Sequence, residues 1–302
     1  MLDAIKNRIK TTMSDIFQGE SDLLMKTIDV LINEIKPQAY HFIANNRYRD
    51  ILSINIEEAN RIYWTENFNR VHFGGQLSLV KTQRWTEAVS ESKQNKNYLS
   101  FCSSLRGLVE SSADTYYSFH RIPFFLNQHF KELEKIFNAG LSDHLMIAKD
   151  FEESVIHFTH ASGKIFKDLK VKEFQKAKTM KEYIEKLDEM SDGPIYKLYG
   201  QLCEITHPAG PSLWSYMGYK STSEKDTIVV LAKRDSDELQ INRLIDENKA
   251  SLNKILAGGV FPVFAALKVL NQFGLKEFTT GTLDQIDFNQ FGFWRQIMKM
   301  DV

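Results

Sequence analysis

Residues 97–120 read NYLSFCSSLRGLVESSADTYYSFH, and this stretch decides the fold class. Arg106, Glu110 and Asp114 are its clearly charged side chains; the rest are apolar, aromatic or small. Twenty-odd residues with no polar face predict a helix covered on several sides by other helices. A second quiet run, IYKLYGQLCEITH at 195–207, opens after Gly193-Pro194 and closes at Pro208 and Gly210. It predicts a partner helix. The two are expected to carry Arg106, Glu110 and His207 inward.

Working outward, apolar spacing predicts helices over most of the chain. Leu2, Ile5, Ile9 and Ile16 share one face of a helix over 2–17. Leu24, Ile28, Leu31, Ile32 and Ile35 do so over 21–44, where Pro37 should kink or restart the helix. Helices are further expected over 56–73 and 76–91, separated by a break at Gly74-Gly75. Others are expected over 124–138, 143–162, 236–257 and 261–272, the last restarting near Pro262. The densely charged 164–190 reads as a solvated helical pair or loop, with an RNA-contacting surface as the alternative that its interleaved carboxylates weaken. LWSYMGYK (213–220) and TIVVLAKR (227–234) are β-rich runs separated by a polar connection, which predicts one hairpin. The aromatic tail 284–300 should dock on the body. The expected fold is therefore an all-α, multi-helix bundle with one small β-hairpin near 213–234. A helical core over 1–212 should carry the hairpin and C-terminal helices of 213–302, packed as one compact domain.

Composition agrees with helices. The 302 residues hold only 15 glycines and six prolines, too few for many short strands and turns. A formal net charge of −1 supplies no global field for nucleic acid or anionic lipid. Cys102 and Cys203 are far apart, and the opening MLDAIKNRIK lacks an apolar leader core, so reduced thiols in a cytoplasmic protein are expected. The longest apolar run, ILAGGVFPVFAAL at 255–267, is too short for a membrane span. It reads as a buried core helix, with a partner-binding or membrane-touching element as the alternative.

Three groups of residues bear chemistry. Arg106 and Glu110, one turn apart, share a helix face that Asp114 extends. In apolar surroundings a charge pair is a poor source of stability. It is either a structural ion pair or an anion-binding arginine oriented by Glu110. His207 ends its helix, where carbonyls favour an imidazolium; it is either a C-capping side chain or an acid/base group. Tyr116, Tyr117, Tyr199 and Asp114 lie on the same two helices and are the candidate substrate-binding set, with core packing as the alternative for the tyrosines. Separately, Glu153, His157 and His160 recur at i, i+4 and i+7, the spacing of a one-faced metal site, with a polar helix face as the plain alternative. Phosphate-loop, dinucleotide, zincin and nucleophile-elbow motifs are absent from the sequence.

The pattern Leu105-Arg106-Gly107-Leu108-Val109-Glu110, then Tyr116-Tyr117, then Tyr199-x-x-Leu202-x-x-x-Thr206-His207-Pro208 resembles an uncharacterised family of prokaryotic all-helical proteins. That family carries an R-x-x-x-E helix and a later helix ending in H-P, and its members often sit among mobile-element and defence genes. It is similar in turn to the HEPN superfamily of helical ribonucleases and nucleotide-binding domains. The likeness spans roughly residues 30–215. It implies cleavage of RNA without metal or other cofactor, an arginine and a histidine polarising the scissile phosphate while the 2′-hydroxyl attacks. The superfamily's usual motif places four to six residues between arginine and histidine. Here the nearest match is Arg121 and His129, with seven between, so Arg106 and His207 are the expected equivalents. The implied function is a toxin or defence endoribonuclease with RNA as substrate. The alternative is a non-catalytic sensor or scaffold that binds a protein partner, a second copy or a small anion.

Overall fold

The computed structural model describes residues 14–17, 20–138, 140–141, 143–162, 172–189, 195–208, 210–214, 216–221, 227–231 and 235–299. The fold is all-α with one hairpin. In order come α1 (Glu20–Glu34), α2 (Asn45–Ile54), α3 (Ile56–Gln94), α4 (Tyr98–Phe119), α5 (Ile122–Gln128), α6 (Phe130–Asn138), α7 (Lys149–His160), α8 (Met180–Asp188), α9 (Ile195–Thr206) and α10 (Gly210–Trp214). Strands β1 (Met217–Ser221) and β2 (Thr227–Leu231) follow, then α11 (Asp235–Gln272), three short 3₁₀ turns and α12 (Gly292–Met298). The hairpin is antiparallel, with Met217 opposite Leu231 and Ser221 opposite Thr227. Most of the helix expected over 2–17, and the start of the charged 164–190 stretch, lie outside the described residues.

The chain forms two compact units, each discontinuous in sequence. The first takes Met1–Thr27, Lys81–Ala113 and Met180–Gly258; the second takes Ile28–Val80, Asp114–Thr179 and Gly259–Val302. In α4, only Leu99 and Ser103 are exposed. A helix without a polar face is thus covered nearly all round, as its composition predicts. Asn97 caps it, its side-chain oxygen accepting from Ser100 N at 3.0 Å.

Three helix boundaries differ from expectation. Gly74-Gly75 do not break the chain; α3 runs through them. Local propensity disfavours glycine there by about 1 kcal/mol each, but neighbouring side chains pack closely against both. A Cβ on Gly74 would lie 3.3 Å from the Phe158 ring, and one on Gly75 would lie 3.2 Å from Val263. Nor does α11 restart at Pro262, which lies inside it. The proline ring crowds the carbonyl four residues back, and that residue is Gly258, followed by Gly259, where the backbone can give. The real irregularity is Asn248, at φ −124° and ψ 16°. Its Nδ2 donates to Leu244 O at 2.9 Å, a side chain supplying a bond to the i−4 carbonyl. Finally, α1 stops at Glu34 instead of reaching 44, and Ile35–Ala44 carries no helix. The residue before a proline is pushed out of the helical region, and Pro37 ends α1 where a kink was expected.

The segment of α11 around 255–267 is buried throughout except for partial exposure at Ala257. By length and composition, the helix over Ser236–Gln272 could cross a membrane, yet 72% of its apolar window is buried by the protein itself. It behaves as a core helix. The aromatic tail docks within the second unit, with Phe288, Phe291, Trp294 and Ile297 buried.

Candidate functional site

The first unit assembles Arg106 and Glu110 with α9. Arg106 Nε donates to Glu110 Oε1 at 2.9 Å, and Tyr199 Oη donates to the same oxygen at 3.0 Å. Arg106 Nη1 donates to Thr206 Oγ1 at 3.2 Å. Thr206 spends its own proton on Leu202 O at 2.8 Å, so its lone pairs turn toward the guanidinium. The Arg106 guanidinium carbon also lies 5.8 Å from the Tyr199 ring centre. Nη2 and Glu110 Oε2 make no hydrogen bond among the described residues. The Arg106 and Glu110 side chains are 28% and 32% exposed, so the network is half-open to solvent.

Electrostatics follow from that packing. Burial opposes the Arg106 charge, but the hydrogen bond and attraction from Glu110 outweigh it and raise its pKa further. Tyr199 is pushed well up by burial and by its contacts with Cys203 and Glu110, so it stays a phenol and a donor. Cys203, partly exposed, lies against Tyr199; Cys102 is buried, and desolvation pushes its thiol up to about 12. Both cysteines are free.

The helical period explains which residues meet. From Tyr199, steps of four and seven along α9 reach Cys203 and Thr206 on one stripe. His207 falls about 100° further round. It is exposed, not directed inward, and this corrects the expectation that it shares the buried face. Its backbone N donates to Cys203 O at 2.9 Å, closing the last turn. Because Thr206 touches Arg106, the next Cα is at most roughly 9–10 Å from the guanidinium by chain geometry. Thr206 belongs to the family pattern and Cys203 reads as a free thiol, but neither has a role in the expected site, although the period from Tyr199 points to both.

The other tyrosines and Asp114 belong to the second unit. Tyr116, buried, stacks on His120 with ring centres 5.0 Å apart. Tyr117 lies 5.5 Å from the His157 ring. The hydrogen bonds of Arg106, Glu110 and Tyr199 among the described residues run to one another and to Thr206. Glu153, His157 and His160 also part company. Glu153 faces Lys149 at 3.7 Å, His157 Nδ1 donates to Phe174 O at 2.7 Å, and His160 Nδ1 bonds Thr159 Oγ1 at 2.6 Å. Burial and the nearby Arg70 charge lower the His160 pKa. Among the described residues, no three His, Cys, Asp or Glu side chains are grouped to hold a metal ion. Spacing on one face is not convergence on one point.

No family model, no curated protein and no solved structure matches this chain.

Proposed function

We propose that the Arg106 network is an RNA-phosphate site and that the protein is a HEPN-like endoribonuclease working without a metal. The observation that carries the reading is the bound posture of Arg106. Three partners fix its guanidinium and Nη2 remains to meet an oxyanion, while His207 follows Thr206 in the chain with its side chain exposed. A planar donor held in advance loses little entropy when it grips phosphate. In such a reaction the 2′-oxygen attacks phosphorus and the 5′-oxygen leaves. The products are a 2′,3′-cyclic phosphate and a 5′-hydroxyl, with no water consumed. Arg106 would offset the charge on the phosphorane, and His207 would pass the proton between the two oxygens. The test is RNA incubated with purified protein in a strong chelator. Ends carrying 2′,3′-cyclic phosphate, lost in Arg106→Ala and His207→Ala, support the proposal; intact RNA refutes it.

A second reading has its own observation. Glu110 Oε1 receives both Arg106 and Tyr199, which leaves the cluster with no net charge. A neutralised arginine suits reversible binding of a small anion better than strong transition-state stabilisation. A non-catalytic sensor would then bind RNA or nucleotide with an affinity that His207→Ala leaves unchanged. Equilibrium binding measured beside the cleavage assay separates the two.

A further inference from the structure

An aromatic side chain of the first unit borders the Arg106 network. Trp85, on the part of α3 that belongs to this unit, is half-buried and lies against Gly107 of α4. A Cβ on Gly107 would stand 2.5 Å from Trp85 Cη2 and 2.6 Å from Cζ2 and Cζ3, the two carbons bonded to it. Three nearly equal distances put the glycine under the face of the six-membered ring. An edge-on approach would leave the flanking carbons clearly farther away. The bare α-carbon is what lets the indole lie down on α4. Chain geometry then keeps the ring within roughly 8 Å of the Arg106 Cα.

Helical phase describes the surface between the two. Ser103 is three residues before Arg106 and four before Gly107, so it neighbours both, and it is exposed. Its direction around the helix falls between theirs. A small side chain at that point leaves α4 low between a fixed guanidinium and a flat indole. Trp85 makes no hydrogen bond, ring contact or cation–π contact with any described residue. Its N–H and the face turned away from Gly107 are therefore not used by polar or aromatic groups among the described residues.

We propose that Trp85 stacks an unpaired base of the RNA strand whose phosphate meets Arg106, which makes single-stranded RNA the substrate. The proposal rests on the RNA-phosphate reading of Arg106 and adds the part of the nucleotide that a guanidinium does not hold. A nucleotide joins an anion to a flat ring through one sugar, and a fixed arginine beside a flat indole matches those two parts. Bases inside a duplex are already stacked on one another, whereas a base of a single strand can splay onto an aromatic side chain. Every base has a π-face, so the contact tolerates any sequence.

The test is binding of a short, end-labelled single-stranded RNA with 2′-fluoro sugars, which cannot undergo the 2′-attack, to the full chain. Anisotropy gives affinity, and tryptophan emission of the protein with unlabelled strand reports stacking. Wild-type emission should be quenched on binding. Trp85→Leu should bind roughly tenfold more weakly, within the usual range for one base stacked on an aromatic ring, and lose the quenching. Trp85→Phe, which keeps a ring, should recover most of the affinity. A strand abasic throughout, with the same charge, should bind wild type and Trp85→Leu alike, which a merely structural tryptophan would not produce. Circular dichroism checks that the variants fold, and the wild-type quenching and duplex comparisons stand without them. Binding that depends on Arg106 but shows no quenching and no loss in Trp85→Leu would overturn this inference alone. So would a duplex or a mononucleotide binding as tightly as the single strand. Failure of every RNA to bind would overturn the Arg106 reading and this one with it.

Discussion

His72 makes a sharp prediction about stability and pH. Its imidazole is buried against Tyr40, Gln76, Thr280 and the Phe278 ring, none of which carries charge. Burial lowers its pKa from the ordinary 6.5 to about 4 in the folded protein. Between those two values the unfolded chain binds one proton that the folded chain refuses. Stability is therefore fully present above pH 6.5 and falls as the pH drops toward 4, at about 1.4 kcal/mol per unit. Over that window the loss is about 3 kcal/mol, and it levels off below pH 4. The assay is urea unfolding of wild type and His72→Gln at intervals from pH 7.5 to 4. Carboxylates titrate in both chains and largely cancel in the difference. Wild type should lose about 3 kcal/mol more than the variant across the series. A parallel pH dependence of the two proteins, or an NMR titration of the His72 ring with a midpoint near 6.5, would refute the reasoning.

Other outcomes follow from single contacts. Asn60 is fully buried and donates to Leu141 O and His144 O at 2.9 and 2.8 Å while accepting from Met146 N at 2.8 Å. Asn60→Ala should cost about 3 kcal/mol in unfolding free energy, from three bonds at about 1 kcal/mol each. It should also speed amide exchange at Met146. Gly107→Ala would gain about 1 kcal/mol of helix propensity, but the new methyl would meet the Trp85 ring at 2.5 Å. Overpacking of this kind costs about 1–3 kcal/mol, so a lowered midpoint of thermal unfolding is expected, and a raised one would show that Trp85 swings aside freely. Glu110→Gln removes the charge that neutralises Arg106 and keeps its shape. Stability should change by less than about 1 kcal/mol, since the pair is half-open. Affinity for RNA should rise with a steeper salt dependence, measured by fluorescence anisotropy.

The sequence by itself determined the helical class, the burial of α4 and the hairpin. Those features rest on periodicity and composition, which act within one segment and need no knowledge of distant neighbours. The same reading misjudged Gly74-Gly75 and Pro262, because helix-breaking propensities of about 1–3 kcal/mol were overruled by packing. Phe158 and Val263 pack closely against the two glycines, and Gly258 relieves the proline. The candidate site was legible in part. The i, i+4 spacing was enough to pair Arg106 with Glu110, and Tyr199 was named from its helix. Which residue of α9 meets the guanidinium was a matter of helical phase, and a single step of about 100° gave Thr206 the contact and left His207 exposed. Nothing local distinguished His72 from a surface histidine. Its neutral ring exists only because segments over two hundred residues apart, Tyr40, Gln76 and Thr280, close around it. Desolvation is a property of that enclosure, so only the tertiary structure could decide it.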